Sequence, residues 1–241
     1  MNTYVIGDIH GGLKALEQVM NKVKFQENDT IIFLGDYVDG WSDSKEVIEY
    51  LITLNQKRNC IFLRGNHDDL LLNYLKTKEY NNEWLQHGGQ TTKNAYSNLN
   101  QTLINQHIAF LEALLPYHID EENRLFIHAG FTNLKGVTFE YFKPLFYWDR
   151  TLWECALGLN PELNISDPYY PKRFKLYKEI YIGHTPVTLI GKSTPYNVAN
   201  IWNIDTGAAF KGAITILNIH TKQFWQSQPV NELYPEEKGR N

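Results

Sequence analysis

Sulfur is scarce in this chain: its 241 residues include two cysteines, Cys60 and Cys155, and two methionines. Two thiols, neither in a Cys-x-x-Cys pair, exclude a disulfide scaffold and a thiolate zinc site. Cys60 opens an apolar run, which suits a buried and inert thiol. Any metal site must then be built from Asp, Asn and His. Positive charge is also short, with 23 Lys and Arg against 27 Asp and Glu and a net charge of -4. No basic field draws in a nucleic acid polymer, although a small nucleotide is still an admissible substrate. No apolar run approaches the roughly 20 residues of a membrane span. A chemical motif already begins at Gly7, which leaves no room for a secretory leader. The expectation is a cytoplasmic protein without membrane contact.

What the chain does have is a recurring pattern. Ile31 to Leu34 are four apolar residues in a row, as in a strand covered on both faces, and Gly35-Asp36-Tyr37-Val38-Asp39-Gly40 follows. Four other strand-like runs end the same way, at Gly7-Asp8-Ile9-His10-Gly11, Gly65-Asn66-His67-Asp68, His128-Ala129-Gly130 and Gly183-His184-Thr185. A further run, Ile201 to Ile204, ends at Asp205-Thr206-Gly207. Between them apolar residues recur at helical spacing, in Leu13 to Val23, in Val47 to Leu54 and in Leu70 to Leu75. Asp43 and Glu46 have the spacing of a capping box for the second of these helices. The Asn-, Gln- and Thr-rich stretch 80–116 predicts a helical insertion. Residues 1–228 are expected to form one domain, followed by a polar and loosely held tail over 229–241.

Asp8, His10, Asp36, Asn66, His67, His128 and His184 all follow short apolar runs beside glycine. A lone Asp in a Gly-Asp turn is usually only a turn residue, and His87, His107, His118 and His220 stand outside any such motif and are assigned no role. The joint pattern is different, because context makes motifs specific. Hard oxygens with imidazoles suit Mn²⁺, Fe or Zn²⁺. Two such ions about 3.5–4 Å apart need a shared ligand, and the two oxygens of Asp36 make it the candidate.

These motifs resemble those of the calcineurin-like metallophosphoesterase superfamily, and most of all its PPP-type serine/threonine phosphatases and their bacterial relatives. The resemblance implies an α+β sandwich of four layers, two mixed β-sheets flanked by helices, with the active site on strand-end loops. It implies two divalent ions, Mn²⁺ first among them. Asp8 and His10 would hold one, Asn66, His128 and His184 the other, and Asp36 both. A water ionised between them would attack phosphorus in line, with His67 as general acid, Asp39 orienting it, and Arg150 and Asn66 binding the phosphate. The chain departs from the family at Gly40, where an arginine is usual, and at Asp68, where glutamate is. Loss of that arginine predicts weaker phosphate binding, an aromatic face at Trp41 in its place, and a gain in kcat/KM for Gly40→Arg. The leading expectation is a phosphatase acting on phosphoserine and phosphothreonine in proteins. The alternatives are a diadenosine tetraphosphate hydrolase, or a silent module that binds phosphorylated partners. The aromatics Trp148, Tyr169 and Tyr170 suit core and lid better than base stacking.

Overall fold

The computed structural model describes residues 1–240. The first three strands, β1 (Thr3–Ile6), β2 (Thr30–Phe33) and β3 (Asn59–Phe62), run parallel because a helix joins each to the next: α1 (Leu13–Met20) and α2 (Ser44–Asn55). A helix α3 (Asn66–Thr77) follows β3 after three residues, Leu63 to Gly65. The stretch predicted as a helical insertion is helical: α4 (Asn82–Trp84), a kinked turn over Leu85–Gly89, α5 (Gln90–Ala95) and α6 (Gln101–Glu112). Strands β4 (Tyr117–Ile119) and β5 (Leu125–Ile127) come next, then α7 (Leu145–Trp148) and α8 (Thr151–Leu157). The chain continues through β6 (Ile180–Ile182), β7 (Tyr196–Val198), β8 (Ile201–Asn203), β9 (Thr215–Asn218), β10 (Phe224–Gln226) and α9 (Val230–Leu233).

The strands form two mixed sheets, ordered β10-β9-β1-β2-β3 and β4-β5-β6-β8-β7. Alternation along each strand sorts the apolar side chains into layers. Tyr4, Ile6, Ile31 and Phe33 face α1 and α2, packing with Leu16, Val19, Val47 and Leu51. Val5 and Ile32 face the second sheet and meet Phe126, Tyr181 and Leu217. Phe126 and Tyr181 stack at the centre with ring centroids 5.0 Å apart. On the far side Ile127, Ile180 and Ile182 pack with Leu152, Trp153 and Phe174. This is the expected sandwich of two mixed sheets between helical layers. No helix among the described residues is long and apolar enough to cross a membrane.

Two local expectations fail for the same reason. The segment after Pro229 is not loose: Val230 is fully buried and Tyr234 stacks on Trp41 at 5.5 Å. Asn241, the last residue of the predicted tail, lies outside the described residues. Asp43 stands at the start of α2 but makes no cap, because its Oδ2 accepts the Tyr234 hydroxyl at 2.5 Å. Polar composition hid a segment whose few apolar side chains are well placed. Cys60 is half-buried rather than buried, and that partial burial still pushes its thiol up to about 12, which keeps it protonated.

Candidate metal centre

Strand register decides where the functional residues meet. Ile6 pairs with Phe33, Phe33 with Phe62, and Ile182 with Asn203, so the ends of the parallel strands lie level. The residues just beyond them emerge at one edge of both sheets. Asp8, His10, Asp36, Asp39, Asn66 and His67 come from the first sheet, and His128, His184 and Asp205 from the second; all are buried. Among the described residues, four of the eight non-glycine residues with positive φ belong to this group: His10, Asp36, Asp39 and His184. Such backbone strain concentrates where a side chain must be aimed. Two glycines make room for the carboxylates, since a Cβ on Gly65 would lie 2.1 Å from Asp36 Oδ1 and one on Gly183 2.2 Å from Asp8 Oδ1.

The donor atoms converge. His10 Nε2 lies 3.6 Å from Asp8 Oδ2 and 3.6 Å from Asp36 Oδ2. His128 Nε2 lies 3.4 Å from Asp36 Oδ2 and 3.2 Å from Asn66 Oδ1, and His184 Nδ1 is 3.0 Å from the same amide oxygen. Ligands bound at 2.0–2.2 Å stand about 3.0 Å apart in an octahedron and about 3.4 Å apart in a tetrahedron, so these separations fit shared cations. Two groups of potential ligands overlap at one residue: His10, Asp36 and His67 form one, Asp36, His128 and His184 the other. Asp36 is common to both, as a bridging carboxylate must be. The donor set fits a dinuclear centre for divalent ions.

Neighbouring groups fix which nitrogen each imidazole offers. His10 Nδ1 lies 2.9 Å from the Asp39 carbonyl and His128 Nδ1 2.9 Å from the Leu34 carbonyl, so both donate there and turn Nε2 inward. His67 Nδ1 donates to Asp39 Oδ2 at 2.6 Å, which leaves its Nε2 as the other ring nitrogen. The same carboxylate oxygen accepts the Trp84 indole N–H at 2.6 Å, and Asp39 N–H is met by the hydroxyls of Ser44 and Thr92 at 3.1 Å each. Asp68, the departure from the family's glutamate, accepts the N–H groups of Gly65, Asp36 and Tyr37 at 2.8, 2.8 and 2.9 Å. It ties the second loop to the start of α3 and so sets Asp36 against Asn66.

Burial opposes ionisation of Asp36, but His128, His67 and His10 outweigh it and hold the carboxyl well below the usual range. Burial likewise opposes a charge on His128, and Asp36 reverses that, taking the imidazole up to about 10. Burial and the His128 charge both push His184 down. Burial and Asp8 push Asp205 up to about 8, and burial and Asp36 push Asp68 up to about 7 against its backbone donors. Protons held by this cluster must leave when cations enter, so metal affinity rises with pH.

Above the cluster lies a cleft of about 360 Å³, at the small end of ligand sites. His10, Asp36, Asn66, His67 and His184 form its base, and Trp148, Arg150, Leu189, Phe210 and Arg240 stand around it. Trp148 is 48% exposed, with its ring 6.4 Å from His184. It is not a core residue, which corrects the core part of that expectation. Tyr169 is exposed, and Tyr170 packs on Phe174 away from the cleft lining. Arg150 lies at the start of α8, exposed and lining the cleft.

Trp41 is a second correction. It is fully buried, its Nε1 donates to the Ala208 carbonyl at 2.7 Å, and Tyr234 covers its face, so it offers nothing to a substrate. Gly40 has φ of +118°, and a Cβ there would lie 3.2 Å from the His10 carbonyl oxygen. An arginine at 40 therefore lacks both the backbone conformation and the room that a gain in kcat/KM requires. Trp84, Asp205 and Arg240 were not assigned from sequence. Asp205 carries the strand-then-Asp signal that marked the others. Trp84 and Arg240 carry no local signal.

Buried carboxylates and imidazoles on loops at one edge of a two-sheet sandwich define a metal-dependent phosphoesterase. Residues 1–210 match the family described as calcineurin-like phosphoesterase, and the chain belongs to it. It is 28% identical to the asymmetrical bis(5′-nucleosyl)-tetraphosphatase PrpE of Oceanobacillus iheyensis, covering 93% of this chain and 91% of that one. It is 27% identical to the protein of the same name in Halalkalibacterium halodurans, over 98% and 97%. Among solved structures, a serine/threonine protein phosphatase from Saccharomyces cerevisiae superposes with a TM-score of 0.61 at 16% identity, over 95% of this chain and 80% of that one. That last likeness concerns the fold alone.

Proposed function

We propose that this phosphoesterase hydrolyses dinucleotide polyphosphates such as diadenosine tetraphosphate, rather than phosphoserine or phosphothreonine in proteins. The observation that carries this is the kinship of nearly the whole chain to bis(5′-nucleosyl)-tetraphosphatases, at 27–28% identity. The half-exposed Trp148 on the cleft wall supports it, since an indole face at that position suits a nucleobase. This places the phosphoprotein expectation second.

Asp8, His10, Asp36, Asn66, His128 and His184 would hold the two ions, with Mn²⁺ the expected metal. Ions bound there supply Lewis-acid polarisation of the phosphoryl oxygens and a water ionised near neutral pH. His67 donates a proton to the leaving oxygen from Nε2, because Asp39 holds its Nδ1. Trp84 keeps Asp39 from turning away, which gives the helical insertion a role in the chemistry. Arg150 binds a phosphate oxygen, and Trp148 stacks on one base. Trp148→Ala should raise KM for diadenosine tetraphosphate about tenfold, the scale of one lost base–aromatic stack. KM for p-nitrophenyl phosphate should not move. Equal effects on both substrates in steady-state kinetics would rule the stacking role out.

The deciding experiment compares kcat/KM of the Mn²⁺-loaded enzyme on diadenosine tetraphosphate and on phosphoserine and phosphothreonine peptides. A preference for the dinucleotide of tenfold or more is expected. A preference for peptide would overturn the proposal and return the chain to the phosphoprotein phosphatases.

A further inference from the structure

Gly40 leaves the second loop without a side chain, yet the space beside it is filled. A Cβ built on Gly40 would lie 3.5 Å from Cγ of Arg240, and one on Gly88 would lie 3.0 Å from the same atom. Both glycines have positive φ, and Gly40 N–H donates to the Gly88 carbonyl at 3.2 Å. Together they form a groove of bare backbone, and the aliphatic stem of Arg240 crosses it into the cleft.

The segment carrying Arg240 is built onto the residues that follow Gly40. Tyr234 stacks on Trp41 and bonds to Asp43. Glu237 accepts both the N–H and the hydroxyl of Ser42, at 2.9 and 2.7 Å. A Cβ on Gly239 would lie 2.7 Å from the Trp41 ring, so only glycine passes there. Arg240 N–H then donates to the Ala209 carbonyl at 2.9 Å. These contacts fix the backbone at Arg240 and aim the side chain.

Among the described residues the guanidinium meets no anion. Its Nε is buried without a hydrogen-bond partner, and among the described residues the group meets only the Phe210 ring, 5.5 Å from the centroid. An arginine held unpaired beside a site for two cations is unfavourable unless an anion joins them. Its planar fork of donors matches the oxygens of a phosphate.

We propose that Arg240 binds a phosphate group of the substrate, entering the site through the space that a side chain at position 40 would otherwise fill. The inference rests on the cleft being the phosphoester site. It explains why the chain does without the loop arginine of the family it resembles: the cation arrives from a distant part of the sequence.

The test uses the full chain loaded with Mn²⁺ and inorganic phosphate as the probe. Calorimetry should show phosphate binding about tenfold or more weaker in Arg240→Ala, and intermediate in Arg240→Lys, which keeps charge but not the fork. KM for diadenosine tetraphosphate should rise in parallel while kcat changes less. Tm and metal content should match the wild type, and free guanidinium ion should restore part of the affinity. Unchanged phosphate binding in Arg240→Ala would overturn the proposal. So would a loss matched by lower Tm and lost metal, which would mark Arg240 as a packing residue. If the wild type binds phosphate but does not cleave the dinucleotide, the proposed substrate fails while the Arg240 comparison still stands or falls on phosphate affinity alone. A wild type that binds no phosphate would overturn the role of Arg240, whether or not it cleaves the dinucleotide.

Discussion

Asp36→Asn is expected to lower kcat/KM by about a thousandfold and to cost the protein at least one of its two metal ions. The amide is nearly the same shape, and its Oδ1 can still accept the His67 N–H that lies 2.9 Å from it. The fold is therefore held. What goes is the anionic Oδ2, which stands 3.4 Å from His128 Nε2 and 3.6 Å from His10 Nε2 and is the one oxygen within reach of both ligand groups. An amide nitrogen at that position is a donor and cannot bind a cation. Elemental analysis beside steady-state kinetics checks the pair of effects. Full metal content with full activity would remove Asp36 from the bridge.

His67→Asn separates proton transfer from metal binding. Loss of a positioned general acid costs about 10²–10⁴-fold, and the variant should keep both ions because Asp8, His10, Asp36, Asn66, His128 and His184 supply the donors without it. The size of the loss should follow the leaving group. Nitrophenolate leaves without a proton and should suffer least, a nucleotide phosphate somewhat more, and an alkyl alkoxide most. Rates across that series, with metal content measured on the same samples, give the slope. A loss equal for all three leaving groups, or loss of metal, would mean that His67 is a ligand and not an acid. That alternative is concrete, since its ring lies near His10 and Asp36.

The candidate metal ligands could be picked out in sequence because each signal is local. Asp8, Asp36, Asn66 and His184 each follow a glycine at a strand end, and the parallel register carries that adjacency into space. The layers of the sandwich were legible for a similar reason, since apolar runs such as Ile31 to Leu34 demand cover on both faces. What surrounds the ligands was not legible. Trp84 reaches Asp39 across 45 residues and Trp41 finds Ala208 across 167, with no pattern at either end to announce the contact. An aromatic after Gly40 was as good a substrate platform as a core residue until Tyr234 was seen to cover it. The polar run after Pro229 likewise gave no sign that Tyr234 and Gly239 dock it and bring Arg240 to the cleft. Periodicity reports faces of elements, and these contacts lie on irregular chain.

The chain's own carboxylates and imidazoles gather at one sheet edge in a set that fits a dinuclear centre. Its most direct test is the stoichiometry of Mn²⁺ in the dialysed wild-type protein, read by elemental analysis while hydrolysis of diadenosine tetraphosphate is followed through chelation and reloading. Two ions per chain are expected, with activity lost on chelation and regained only as the second site fills. One ion or none in a folded protein that still hydrolyses its substrate would contradict it.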